Sequence, residues 1–396
     1  MSADSTKVAK MPLLAGLNHT REDLNKTTEV PNIDVVTPEK PASAWDLQLK
    51  KIGPYKITKV IGFGGVGTVF EAHDTNINRP VALKVLNRKW IQDEVAKERF
   101  LREARLCAMI KSPHVAMIHS VGDDNGVPYL AMELLSGFSL EQLIHQVNLT
   151  MAQIIRLARE MSKGLSAAHL QGLIHRDIKP ANIWLETLAD PSGGDKKVYR
   201  VKILDFGLAR LEEQNNEGLT RHGVVVGTPM YMSPEQATGV KIDARSDLFS
   251  LGVVLYQLCT KQLPFQGESV ADIMSAICKD SPTPVREINP EVPAKLSRLI
   301  ERLMSKSPSQ RPPDAQNVTR LLEIIEVEEE KRILKQMGKG GSGGVGQSGT
   351  SNGQQTMKVT AEIHPLVKWL LMGSLAMNLF LMIVMAMLIY LLFSRH

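Results

Sequence analysis

His175-Arg176-Asp177-Ile178-Lys179-Pro180-Ala181-Asn182 concentrates more reactive chemistry than any other part of the chain. Asp177 can orient a hydroxyl and accept its proton, and Lys179, two residues on, can steady negative charge developing nearby. Asn182 adds a neutral oxygen of the kind a hard divalent cation accepts. Outward toward the C-terminus comes an insertion rich in Gly, Asp and Lys at 190–197, to which the sequence assigns no role. The stretch Val201-Lys202-Ile203-Leu204-Asp205-Phe206-Gly207 follows, an apolar strand that ends in a second metal ligand, the carboxylate of Asp205.

Toward the N-terminus lies Ile61-Gly62-Phe63-Gly64-Gly65-Val66-Gly67-Thr68-Val69. The spacing of Gly62, Gly64 and Gly67 also occurs in dinucleotide-binding folds, where the last glycine opens a helix. Here Thr68–Ala72 alternates like a strand, so the glycines read as a hairpin whose backbone N–H groups approach phosphates. Lys84 then sits in the apolar strand Val81–Leu86, where an ammonium needs anionic partners. On the helical pattern over 92–110, Phe100, Ala104, Cys107 and Ile110 form one stripe, and Glu103 falls on it. Glu103 is the expected partner of Lys84, with Glu98 in reserve.

A proton acceptor, two cations and two oxygen ligands behind a glycine hairpin suit transfer of a phosphoryl group from ATP, with Mg2+ (or Mn2+), to a hydroxyl. Asp177, Lys179 and Asn182 are the catalytic candidates, and Asn182 and Asp205 the metal ligands. These strings, in this order, resemble the protein kinase superfamily. Phe63–Gly67, Arg102–Ala104 and Gly227–Glu235 narrow the resemblance to bacterial eukaryotic-like (Hanks-type) serine/threonine protein kinases. The resemblance implies an α+β, two-lobed protein-kinase fold with a small β-rich N-lobe and a larger helical C-lobe. It also implies that Val69, Ala82 and Leu185 sandwich adenine, in an ATP site that includes Ile61, Gly62, Gly64, Gly67, Lys84 and Glu103. Met132 would be the gatekeeper, and Glu133 to Leu135 the hinge. Asp247 would brace the catalytic loop and Glu235 would pair with Arg311. Lys179 and Thr228 match the serine/threonine branch, and Thr220 and Thr228 are the phosphosite candidates of the segment 205–235. Thr220 is expected to be autophosphorylated and to pair with Arg176. Departures from the family pattern are Ser233 where alanine is commoner, the long insertion, and no sensor domain after the apolar C-terminal run.

The chain has 396 residues, 43% of them hydrophobic and 22% charged, which suits a packed core. A net charge of +5 is too small for this length to argue for nucleic acid. Three widely spaced cysteines fit neither a disulfide frame nor a zinc site. Residues 1–51 read as a flexible extension without a signal peptide, 52–326 as the kinase domain and 327–337 as a helical extension. Glycine- and serine-rich residues 338–366 read as a flexible linker.

Residues 367–393 read as one C-terminal transmembrane helix, followed by a short tail, 394–396. Between Lys368 and Arg395 no residue is charged. The run Trp369–Phe393 would extend about 37 Å as a helix, against a hydrocarbon core of roughly 30 Å. The expected place is therefore a bacterial cell membrane, single-pass, with the kinase domain in the cytoplasm, where ATP is. Expected partners are protein substrates, the membrane, and a second copy through the small lobe; nucleic acid is not among them. The rival readings are a catalytically dead scaffold of the same fold, a tethered interaction protein and a small-molecule kinase. Retention of Lys84, Asp177, Asn182 and Asp205 argues against the first.

Overall fold

The computed structural model describes residues 49–189, 198–206 and 229–339. The N-terminal extension to residue 48, the insertion at 190–197, Gly207, Thr220, Thr228, the linker from residue 340 and the apolar C-terminal run lie outside the described residues. Among the described residues no helix is long and apolar enough to cross a membrane.

Alternating, β-branched segments form a six-stranded antiparallel sheet first: β1 (Lys51–Ile52), β2 (Tyr55–Phe63), β3 (Gly67–Asp74), β4 (Arg79–Leu86), β5 (Ile118–Asp124) and β6 (Val127–Glu133). Their order is β1-β2-β3-β4-β6-β5. Asn78 and Asn125-Gly126 take the left-handed backbone at the tight turns, which Asn and Gly tolerate. Register assigns the two faces. Val69 and Leu130 lie opposite Lys84, and Met132 opposite Ala82. Side chains alternate across a strand, so these five share one face. Phe70, Leu83 and Ala131 pack on the other with Tyr55, Val81 and Tyr129.

Helix α1 (Arg88–Ile91) and the longer α2 (Glu94–Ala108) follow β4. The α2 start is set by Asp93, whose carboxylate accepts from Ala96 N at 3.0 Å. That cap places the helix inside the 92–110 span of the sequence pattern. Its buried residues, Ala96, Phe100, Glu103, Ala104 and Cys107, recur at helical spacing. Phe100 and Ala104 pack against Leu86 and Leu130 under the Lys84 face.

The remainder is helical: α3 (Leu140–Gln146), α4 (Met151–Leu170), α5 (Pro234–Thr238), α6 (Arg245–Thr260), α7 (Val270–Lys279), α8 (Val285–Ile288), α9 (Ala294–Leu303) and α10 (Ala315–Lys339). Ser139, Thr150, Ser233 and Ser269 close capping boxes at α3, α4, α5 and α7. Helix α6 is buried on every side from Ser246 to Thr260 and forms the middle of the larger core. A small sheet, β7 (Gly137–Ser139), β8 (Ile183–Leu188) and β9 (Val198–Ile203), carries the chain past the functional strings. Helix α10 runs unbroken through residue 326, where the sequence places the end of the domain. It docks on α4 through a buried Ser162–Thr319 hydrogen bond of 2.8 Å and an Arg159–Glu326 ion pair of 2.7 Å.

Candidate active site

The loop from His175 to Asn182 is fixed from below by a carboxylate on the central helix. Asp247, 1% exposed, accepts from His175 N and Arg176 N at 2.8 Å each, and from His169 Nε2 at 2.7 Å. Burial alone would raise its carboxyl, but the His169 hydrogen bond, both histidines and the backbone donors hold it below the ordinary carboxylate range. This anchoring keeps Arg176 at φ 68, a left-handed conformation that costs a non-glycine residue about 1 kcal/mol or more. His175 accepts from Asp177 N at 3.2 Å through Nδ1, so its other nitrogen donates, to Leu204 O at 2.7 Å. Its ring meets Phe206 edge-on at 4.6 Å.

Above this base the catalytic candidates converge. Lys179 Nζ lies 2.8 Å from Asp177 Oδ2. The Asn182 amide nitrogen donates to Asp177 O at 2.7 Å and to Asp177 Oδ2 at 2.9 Å. Leu204 N donates to Asn182 O at 2.9 Å, which places the strand end beside the loop. With the Asn182 nitrogen turned to Asp177, its side-chain oxygen is the atom left for a cation. Asp205 contributes the carboxylate, 34% exposed, and two such hard oxygen donors suit a magnesium-like ion.

Lys84, 4% exposed, makes an ion pair with Asp205 Oδ1 at 2.8 Å. Glu103 is buried on α2, as its stripe requires. Asp205, at φ 58, is held by its backbone in a left-handed turn and presents a short carboxylate to the lysine. Burial would raise the Asp205 carboxyl, but the Lys84 ammonium outweighs it and holds the group below its ordinary value. Beside them is a cavity of about 30 Å³ lined by Ala104, Met132, Phe206 and Cys107. The Cys107 thiol donates to Phe206 O at 3.3 Å, and burial pushes it up to about 12, so it is an inert neighbour.

Val69, Ala82 and Met132 share the Lys84 face, and Leu185 is buried in the small sheet. Gly62 lies opposite Val69 in the β2–β3 hairpin, with Ile61 beside it and Gly64 at the turn. At Gly67 a Cβ would stand 2.5 Å from Val85 O, so only glycine permits that approach. Glu133 ends β6 and joins the two halves of the site: Met117 N and Lys202 Nζ donate to it at 2.7 and 2.6 Å. Leu135 follows, half-buried.

Residues 55–322 match the model of the protein kinase domain. The chain belongs to the protein kinase family. Its kinase domain is of the bacterial Hanks type: it is 36% identical over 280 residues to the serine/threonine-protein kinase pkn3 of Myxococcus xanthus, covering 69% of this chain and 50% of that protein. It is 32% identical over 262 residues to the serine/threonine-protein kinase PknB of Mycobacterium tuberculosis, covering 65% of this chain and 40% of the other. The chain thus spans half or less of the length of these curated relatives. The fold is also that of the crystal structure of the Mycobacterium tuberculosis PknI kinase domain, with TM-score 0.54 and 22% identity, covering 69% of this chain and 96% of that one.

The far end of the kinase activation segment is bolted to the C-lobe. Arg311, 2% exposed, donates to Glu235 Oε1 and Oε2 at 2.6 and 2.8 Å, and to Ser305 O and Arg245 O. Thr220 and Thr228 lie outside the described residues. Three contributors carry no signal in the sequence: His169, 78 residues from Asp247; Lys202, 69 residues from Glu133; and Asn87, which follows β4. Their role is visible only through distant partners.

Proposed function

We propose that this chain is a membrane-tethered serine/threonine protein kinase that transfers the γ-phosphoryl group of ATP to Ser or Thr hydroxyls of proteins. The observation that carries the reading is the meeting of Lys84 with Asp205 at 2.8 Å, directly against the Asp177–Lys179–Asn182 cluster. Lys84 neutralises the nucleotide phosphates. Asp177 orients the acceptor hydroxyl and takes its proton, while Lys179 balances charge on the transferring group. Asp205 and Asn182 would hold the magnesium ion, which supplies charge neutralisation along the phosphates when bound.

Similarity to curated serine/threonine kinases and the Lys179 position support the choice of hydroxyl. The reading includes autophosphorylation at Thr220, with the phosphate pairing with Arg176. The uncharged run 369–393 supports a single C-terminal span with the kinase domain on the ATP-containing side. Confinement to a membrane raises the local concentration of a second copy and favours phosphorylation between copies.

The test is labelled-ATP phosphorylation by the full chain beside Asp177→Asn, with membrane fractionation of the full chain and of a chain ending at 337. The expected outcome is label on Ser or Thr in the wild type only, and loss of the shortened chain from the membrane fraction. Equal labelling of both proteins overturns the catalytic assignment, and a shortened chain that still sediments with membranes overturns the tether.

A further inference from the structure

The tip of the glycine hairpin is held by two side chains that the proposed reaction does not otherwise use. Asn87, directly after β4, donates through its amide nitrogen to Gly64 O and to Gly65 O, both at 3.0 Å. Its backbone N–H donates to Val66 O at 2.9 Å. Thr68 Oγ1 donates to the Asn87 side-chain oxygen at 3.3 Å, which fixes the orientation of the amide. The Trp90 indole N–H adds a second donor to Gly65 O at 3.1 Å. Below them the Val66 side chain is buried against Trp90 and Phe100.

Three consecutive carbonyls, of residues 64, 65 and 66, are therefore bound on one side. In a trans peptide the C=O of one residue and the N–H of the next point in opposite directions. The N–H groups of Gly65, Val66 and Gly67 are thus turned away from Asn87 and Trp90. Successive backbone N–H groups facing one way form a concavity suited to an anion. We propose that Asn87 and Trp90 are positioning residues that preset these three N–H groups to receive the β- and γ-phosphates of the nucleotide.

The physical gain is preorganisation. A glycine-rich tip has the most backbone freedom to lose, and a loop ordered beforehand leaves less of that loss to the binding step. Asn87 holds the phosphate end of the site and lies away from the adenine face of Val69, Ala82 and Met132. Its removal therefore weakens a triphosphate selectively. Burial of Val66 against Phe100 also ties the tip to α2, the helix that carries Glu103.

The inference rests on the kinase reading, and one calorimetric experiment separates the two. Binding of magnesium-ATP and of adenosine is measured for the full chain in detergent, wild type beside Asn87→Ala and Trp90→Phe. Losing the donors of Asn87 is expected to weaken ATP binding about tenfold, and Trp90→Phe, which removes the indole N–H and shrinks the ring, a few-fold. Adenosine affinity is expected to stay within about twofold, which a general loosening of the small lobe would not allow. Unchanged ATP affinity, or ATP and adenosine weakening in parallel, overturns the positioning role. If Asn87→Ala does not fold, Trp90→Phe decides, since it keeps an aromatic ring at the buried site. A wild type that binds neither ligand overturns the kinase reading and the inference with it.

Discussion

Replacing Arg311 by Met tests how the activation segment is tied to the rest of the C-lobe. The guanidinium is wholly buried and makes a two-pronged pair with Glu235, whose side chain is 5% exposed. The substitution strands that carboxylate and removes the donor from Ser305 O and Arg245 O. Breaking one side of such a buried pair costs about 3–5 kcal/mol, far more than a surface ion pair is worth. For a domain of this size each kcal/mol moves the melting temperature by about 2–3 °C, so a fall of about 10 °C is expected. Pairing the change with Glu235→Gln removes the stranded charge, and the double variant should recover about 2 kcal/mol of the summed single losses.

The pH dependence follows with its sign. Burial would raise the Glu235 carboxyl, but hydrogen bonds from Arg311 and Ser246 outweigh it and depress the folded value. Its contribution is therefore present above the ordinary glutamate range and lost as pH falls through the depressed folded value. The gap between wild type and Glu235→Gln should close as the solution becomes that acidic. Urea unfolding of the three variants at neutral and acid pH measures all of this. An Arg311→Met loss under about 1 kcal/mol, or additive single and double effects, would refute the reasoning.

Gly137 has φ 118 and an ideal Cβ there lies 2.0 Å from Leu185 O, so Gly137→Ala should destabilise by about 2–3 kcal/mol in urea unfolding and weaken nucleotide binding through the displaced Leu185. Asp247→Asn keeps the shape but withdraws the charge that holds His169 and the loop backbone; autophosphorylation should fall at least tenfold, while a circular dichroism spectrum stays native. Cys107, with its thiol pushed up to about 12, should resist alkylation at neutral pH until the protein is unfolded, which mass spectrometry after iodoacetamide treatment would show.

Much of this fold can be read along the chain because its signals are local. Strand alternation either side of Gly62–Gly67, the Asp93 cap with its helical stripe, and the Thr150 box each depend on neighbours a few residues apart. The catalytic loop is legible for the same reason: Asp177, Lys179 and Asn182 lie within six residues. Choices among distant partners are not. The α2 stripe places Glu103 on the buried face, but nothing local announces the ion pair of Lys84 with Asp205, whose left-handed φ has no signature in the residues around it. Asn87 carries no signal of its own in the sequence, and only the folded hairpin shows which carbonyls it binds. The three-residue strand β7 is too short for alternation to register, and it pairs with β8 more than forty residues later.

Magnesium-dependent ATP affinity is the most direct test of the claim that Lys84 and Asp205 form one nucleotide site. Titration of ATP into the wild type, with magnesium and with chelator, should give heat only in the first case. Lys84→Met and Asp205→Asn should each weaken that binding at least tenfold. Equal binding with and without magnesium, or full affinity in both variants, would contradict the account.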